Sequence, residues 1–325
     1  MAVRTSIEIG LSAVIVAVDG TTPKIFAVRQ PGSDGEDVDG LPLGPFDPLR
    51  HRTLEIGLRS FVEEQAGLSL GYVEQLYTFG DRGRQARRGD ADHVVSVGYL
   101  ALTRIEGNDD EPPGTDGRWR EWYDYFPWED FRADRPPLLD DIILPALQAW
   151  STADPLAAPP GRALGRRERL RLAFGIGDVP WDEERVLDRY ELLYEAGLVV
   201  EAQRDGRVPA NDRLPLLGVP MRHDHRRILA TAISRLRSKL KYRPVVFELL
   251  PPEFTLTELQ QTVEAIAGRH VHKQNFRRVV DAGGLVEPTG TTSVATGGRP
   301  AARFRFRRNV LLERPGAGLR LGSRA

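Results

Sequence analysis

The chain has 325 residues, 41% of them apolar, a formal net charge of −1 and no cysteine. That length predicts two or three domains with real cores. The absence of any run of about twenty apolar residues excludes a membrane-spanning helix, and the absence of cysteine excludes disulfides, thiolate metal sites and a cysteine nucleophile, as expected of a cytoplasmic protein.

The near-zero charge is a balance of unlike parts. Residues 1–150 carry a net −11, residues 151–225 a net −2 and residues 226–325 a net +12. An acidic front and a basic rear imply that only the rear meets a polyanion. The first twenty residues alternate like a strand and lack a signal peptide's continuous apolar segment. Residues 6–18 and 24–29 read as antiparallel strands around a DGTTP turn, followed by an acidic, glycine-rich loop over 31–40. Residues 53–66 read as an amphipathic helix with Leu54, Leu58, Phe61 and Val62 on its apolar side. Strands follow at 72–80 and 93–104, joined by the polar loop DRGRQARRGDAD, and a further strand is expected over 119–128. Residues 138–150 form a helix that Pro145 should bend.

Residues 151–161 are a Pro/Ala-rich linker, and 162–217 read as a small helical insert that serves packing or dimerisation. Residues 224–241 form a long amphipathic helix, with Ile228, Leu229, Ile233, Leu236 and Leu240 as its stripe, joining the two halves. Residues 244–250 form a short buried strand or helix.

The stretch 254–306 is the most informative. Thr255 or Thr257 caps a helix carrying Leu256, Leu259, Val263 and Ile266 at helical spacing, and Gly268 ends it. A second helix has Val271, Phe276, Val279 and Val280 on one side and Lys273, Gln274, Asn275, Arg277 and Arg278 on the other. Extended runs at 285–288 and 303–306 then flank a Gly/Ser/Thr-rich tip. Helix, turn, helix, hairpin is the order of a winged helix-turn-helix, and these side chains can read base edges and phosphates in a major groove. Arg299, Arg303 and Arg305 bracket the wing, where phosphate or minor-groove contact is expected. Thr255 and Thr257 can face a phosphate from the start of the first helix. Arg277 or Arg278 can instead serve the fold by salt bridging.

Residues 41–68 resemble the Nudix box, whose pattern is Gly, five residues, Glu, seven residues, then Arg-Glu-U-x-Glu-Glu-x-Gly-U, with U bulky and aliphatic. In Nudix hydrolases the helix glutamates hold divalent metal around a pyrophosphate, since carboxylates one turn apart share a face. The chain keeps Arg59, Glu63 and Glu64. It has His51 at the earlier Glu position, Pro45 at the expected glycine, Ser60 at the Glu after the arginine, and Gly67 one residue late. The metal set is incomplete, so no metal site and no catalytic residue are expected. Glu63 and Glu64 read equally as an exposed helix face with Arg59 as intrahelical partner.

Read together, EQLYTFGD (74–81), VVSVGYLAL (94–102), SRLRSKLKY (234–242), FELLPPEFTLTELQ (247–260), NFRR (275–278) and GRPAARFRF (298–306) resemble the Nudix-related transcriptional regulators of NAD metabolism, the NrtR family. The insert at about 161–217 is similar to that of the longer type often called NadQ. The resemblance implies an α/β Nudix-like domain, a mixed sheet sandwiched by helices, joined to a winged helix-turn-helix domain with a small helical insert. The expected boundaries are 1–150 for the effector-binding domain, 151–223 for linker and insert, 224–312 for the linking helix and DNA-binding domain, and 313–325 for a loose basic tail.

The resemblance also implies a repressor of NAD biosynthesis or salvage genes. It would bind a palindromic operator in double-stranded DNA as a homodimer, require no cofactor, and answer to NAD, ADP-ribose or ATP as effector. The alternative is a Nudix hydrolase of ADP-ribose or NAD with an accessory DNA module. For the effector, Tyr77, Phe79 and Tyr99 can supply aromatic surface, and Phe79 reads equally as a core position. Arg82, Arg84, Arg87, Arg88 and Arg29 can meet phosphates, although the loop arginines read equally as solvated. Asp81 can anchor a ribose hydroxyl or cap the turn.

Overall fold

A computed structural model of the chain describes residues 7–31, 37–80, 93–105, 116–154, 163–209, 215–293, 300–313 and 318–319. The front half is a mixed sheet of seven strands: β1 (Ile7–Asp19), β2 (Thr22–Pro31), β3 (Asp37–Gly40), β4 (Leu43–Pro45), β5 (Val73–Phe79), β6 (His93–Leu102) and β7 (Gly117–Glu121). The long β1 is its axis. It runs parallel to β6 from Ile7 to Val16, and its other edge is shared by β4 at Gly10–Ser12 and β2 at Val16–Asp19, both antiparallel. The path is β3-β2-β1-β6-β5, with β7 on β2. Asp37–Gly40, expected as loop, is a strand because it pairs with Val28–Pro31. The strand expected over 119–128 stops at Glu121, where the chain turns into the short helix α2 (Trp122–Tyr125).

Side chains alternate across the sheet. Leu11, Ala13, Ile15 and Ala17 face helix α1 (Leu54–Ala66) with Leu58, Phe61 and Val62, while Val14 and Val16 face the opposite side. That side is covered by α7 (His225–Leu240), whose expected stripe of Ile228, Leu229, Ile233, Leu236 and Leu240 is fully buried. Gly98 permits the approach: a Cβ there would lie 3.0 Å from Phe79 and 3.1 Å from Ile228.

Between the halves stand α3 (Leu144–Ala153), α4 (Arg166–Phe174), α5 (Val186–Glu195) and α6 (Val200–Arg204). The segment entering α3 is widened into a π-helical turn at Leu139–Ile143, directly before Pro145. The insert is thus helical, and α5 packs along α7. After α7 a 3-10 turn at Val245–Leu249 leads to β8 (Phe254–Thr255), α8 (Leu256–Ala267), α9 (Lys273–Gly283), β9 (Val286–Ser293) and β10 (Ala301–Phe306), a winged helix with a three-stranded sheet in the order β8-β10-β9. A last short helix, α10 (Val310–Glu313), follows.

The interior does not stop at the domain boundary. One cluster runs from Val14 and Leu100 of the front sheet through Phe174 and Tyr190 of the insert to Ile266, Phe276 and Val280 of the winged helix. It also takes in Leu319, which is 1% exposed and whose N–H donates to the Leu240 carbonyl at 2.7 Å. The tail expected to be loose over 313–325 is therefore anchored at Leu319, an apolar residue placed where the end of α7 leaves a carbonyl unpaired.

Candidate nucleic-acid interface and effector cleft

The helix-turn-helix begins with a full capping box. Thr255 Oγ1 accepts from the Glu258 N–H at 3.2 Å, and the Glu258 carboxylate accepts from the Thr255 N–H at 2.6 Å. Of the two expected caps, Thr255 is the one used. Its hydroxyl is taken up by the cap and the residue is buried, while Thr257 is exposed. The turn is braced by Glu264, which accepts from the Val271 N–H at 2.8 Å and from Gln260 Nε2 at 2.9 Å, and meets His270 Nδ1 at 2.9 Å. Burial alone would raise the pKa of Glu264; Gln260, the Val271 N–H and His270 outweigh it and hold the carboxyl below its usual range.

On α9, Phe276 and Val280 are fully buried, Val279 is half-buried, and Lys273, Gln274, Arg277 and Arg278 are exposed. The helix therefore presents the face read from its sequence. Asn275 is half-buried at the edge of that face, and its Oδ1 accepts from Arg278 Nη2 at 2.8 Å. In the wing, Arg305 pairs with Glu287 at 2.7 Å, and Arg303 lies opposite Thr255 in the β8–β10 register. Arg299 lies outside the described residues. Arg307, which the sequence reading passed over, donates from Nε to the Gly284 carbonyl at 2.8 Å and ties the end of α9 to the wing.

The far end of α8 is held by the front half and by α7. Tyr123 Oη donates to the Ala265 carbonyl at 2.8 Å, Arg237 Nε to Ile266 at 2.9 Å, and the Phe131 N–H to Gly268 at 2.7 Å. Arg237 also meets Glu129 at 2.8 Å, and Glu129 accepts a two-pronged contact from Arg189 of α5 at 2.6 and 2.8 Å. Burial alone would raise the Glu129 pKa, but the two guanidiniums outweigh it and hold the carboxyl lower. These arginines carry no sequence motif. The available signal was position: Arg237 falls within the apolar stripe of α7.

In the Nudix-like box, Thr53 caps α1 and Gly67 ends it in the left-handed region at φ 62°. Arg59 does not pair with Glu63 or Glu64. It pairs with Glu55 at 2.9 Å, one turn back, and donates to the Leu70 and Gly71 carbonyls at 2.6 and 3.2 Å, fixing the loop after the helix. Glu63 and Glu64 are exposed and Ser60 is half-buried. Among the described residues no group of three or more His, Asp or Glu side chains could hold a metal ion. Within the box itself, His51 and Ser60 stand where the Nudix pattern has glutamates, so it offers fewer carboxylates to a divalent metal.

The expected aromatic surface is not one surface. Phe79 is buried on the α7 side, beneath the Arg227 guanidinium at 5.5 Å, with Tyr77 beside it at 5.4 Å and 61% exposed. Tyr99 is buried on the α1 side, because its position in β6 has the opposite parity; burial and then Glu55 raise its pKa. Arg29 is exposed at the end of β2, opposite Asp39. Asp81, Arg82, Arg84, Arg87 and Arg88 lie outside the described residues.

A cleft of about 230 Å³ opens on the α7 side, between Glu8 and Gly10 of β1, the β4 segment, Val94 of β6, and His223 and His225 at the head of α7. Of these lining residues the sequence reading named Pro45, at the glycine position of the Nudix-box pattern, and neither Glu8 nor the two histidines. His225 is held by the Leu41 N–H, which donates to its Nδ1 at 2.9 Å. Burial, then the neighbouring His223, Arg204 and Arg222, push its pKa well below the usual histidine value, so the ring is neutral.

Residues 246–306 match the NrtR DNA-binding winged helix domain family. The ADPR responsive transcriptional repressor NtrR of Acinetobacter baylyi is 41% identical over 90 residues, 28% of this chain and 36% of that protein, so the match spans about a third of the relative's length. The whole fold is similar to that of Shewanella oneidensis NrtR, both in complex with a 27mer DNA (TM-score 0.56, 19% identity, 97% of this chain and 99% of that one) and without it (TM-score 0.55, 20%, 93% and 95%). A MutT/nudix family protein from Enterococcus faecalis is similar at a TM-score of 0.51 and 15% identity, over 94% of this chain and 89% of that one. Residues 246–306 thus match the NrtR DNA-binding winged helix family, within a chain whose overall fold is similar to that of NrtR and of a MutT/nudix family protein.

Proposed function

We propose that this chain is a transcriptional repressor of NAD biosynthesis or salvage genes, governed by an adenine nucleotide bound in a Nudix-like domain that does not hydrolyse it. The observation that carries the reading is α9: a helix in an NrtR-type winged helix whose exposed face offers Lys273, Gln274, Arg277 and Arg278, with Asn275 at its edge. These are the side chains that reach phosphates and base edges, and they sit on the part of the chain with a net +12. The working unit is a homodimer on a palindromic operator, which doubles the phosphate contacts. Among adenine nucleotides ADP-ribose is favoured, since the Acinetobacter baylyi relative is named as responsive to it. The broken Nudix-box pattern at His51 and Ser60, with Arg59 committed to the loop after α1, supports a silent domain. The proposed division is a front effector domain to about residue 150, an insert to 223, and a DNA-binding half from 224.

The test is a titration of labelled promoter DNA from a NAD-synthesis gene with the full chain, adding NAD, ADP-ribose and ATP separately. Specific binding that one nucleotide changes is the expected result. Binding that ignores operator sequence, or that no nucleotide alters, overturns the reading.

A further inference from the structure

The loop between α4 and α5 reaches across to the turn of the helix-turn-helix. Gly175 ends α4 at φ 62°, and a Cβ there would lie 2.7 Å from the Trp181 backbone nitrogen, so the loop closes tightly on itself. Arg189 of α5 holds it closed. Its Nη1 donates to the Ala173 carbonyl at 2.8 Å and to the Asp182 carbonyl at 2.9 Å, and its guanidinium lies 3.9 Å from the centre of the Trp181 ring. Two side chains of the loop then approach the turn. Trp181 packs on Phe131, ring centres 4.6 Å apart, and the Phe131 N–H holds the Gly268 carbonyl. Glu183 accepts from Arg269 Nη2 at 3.4 Å and lies 3.7 Å from Lys241 Nζ, while its own carbonyl accepts from Arg237 Nη1 at 3.0 Å. Burial alone would raise the Glu183 pKa; a backbone hydrogen bond, then Arg269, Lys241 and Arg237, outweigh it and hold the carboxyl below its usual range.

The helix pair does not need this contact for its own shape. Glu264 braces the turn from within, through Gln260, His270 and the Val271 N–H, and Phe276 and Val280 root α9 in the interior. Glu183 and Trp181 grip the same turn from outside, Glu183 on the residue directly after the Gly268 cap. Their hold therefore bears on where the pair α8–α9 stands on the rest of the chain. Binding at two half-sites is sensitive to that placement, because slack in either reading head lowers the effective concentration of the second. Binding at one half-site is not.

We infer, on the repressor reading above, that the insert seats the DNA-reading helices: Glu183 is a positioning residue for operator binding that acts through Arg269, with Trp181 as its apolar support.

Binding of the full chain to two duplexes tests it: the palindromic promoter duplex of a NAD-synthesis gene, and the same duplex with one half-site scrambled. Wild type is expected to prefer the palindrome by about tenfold or more. Glu183→Gln is expected to lose about fivefold on the palindrome and nothing on the single half-site. Arg269→Gln is expected to do the same, and the double variant to lose no more than either single, since both break one contact. Arg269→Gln decides the matter if Glu183→Gln fails to fold. Equal losses on both duplexes, or losses that add in the double variant, make Glu183 a residue of the fold alone and overturn the inference. Unchanged binding overturns it too, and so does tighter binding to both duplexes, which would make Glu183 a restraint on a phosphate-binding Arg269. In each of these cases the repressor reading stands, provided wild type prefers the promoter over fully scrambled DNA. If wild type shows no such preference, both fall.

Discussion

Arg278 and Asn275 are tied together on α9: the guanidinium donates to the carboxamide oxygen across one turn of the helix. Asn275→Ala and Arg278→Ala are each expected to weaken operator binding by about 1–3 kcal/mol and to relax preference at one base pair per half-site. The double variant should cost less than their sum, because each single change already breaks the shared contact. Binding measured on a set of single-base operator variants checks this. Equal losses on specific and scrambled duplexes would reduce α9 to a cationic face.

Arg303 on the wing should behave differently. Arg303→Ala is expected to weaken binding to all duplexes alike and to flatten the dependence on salt, since a phosphate contact carries no base information. Titrations at several salt concentrations separate this from the α9 variants; a loss confined to the operator would contradict it.

Glu129 sits between Arg189 and Arg237 with all three side chains buried. Glu129→Gln leaves two buried guanidiniums without their countercharge and is expected to destabilise the chain by about 3–5 kcal/mol in urea unfolding. The pH dependence follows from the sign of the shift. The folded pKa lies below the unfolded one, so the contribution is present above the ordinary carboxylate pKa and is lost as pH falls through the folded value. Wild type and variant should therefore converge in acid. A gap that widens below the ordinary carboxylate pKa would contradict the assignment.

Gly268 has φ 70°, and a Cβ there would overlap the Glu129 carbonyl oxygen. Gly268→Ala is expected to cost at least about 1–3 kcal/mol from the backbone conformation alone and to loosen the joint between α8 and the front half. Hydrogen exchange at Phe131, whose N–H is bonded to Gly268, should rise with it.

With Mg²⁺ and ADP-ribose, wild type is expected to show no turnover approaching ordinary enzyme rates of about 1 per second. Ser60→Glu should not restore it, because His51 also departs from the Nudix-box pattern and Arg59 is held by Glu55, Leu70 and Gly71. Metal-dependent release of AMP by either protein would return the hydrolase alternative.

The winged helix was legible because its signals are local: a threonine cap, glycines at helix ends, and a period of 3.6 with one basic face. The Nudix-like helix was legible for the same reason. What escaped were facts of register and of long-range partnership. Tyr99 and Phe79 lie on strands whose parity relative to one another is set by pairing, and nothing in either strand alone places them on opposite faces of the sheet. Arg189, Arg226 and Arg237 are buried because carbonyls and carboxylates from distant segments meet them, partners that no local pattern names. The cleft draws Glu8 and His225 from widely separated parts of the sequence.

The three carbonyls at the end of α8, held by Tyr123, Arg237 and Phe131, bear on how a signal could travel. A joint of this kind is a weld and not a hinge. Bending it would bare the interior shared by sheet, insert and the α8–α9 pair, so on the proposed reading a push at the sheet is expected to tilt the chain as one lever. Two such levers joined back to back would alter the span between their tips, and the pitch of the double helix would then decide whether both tips can seat at once.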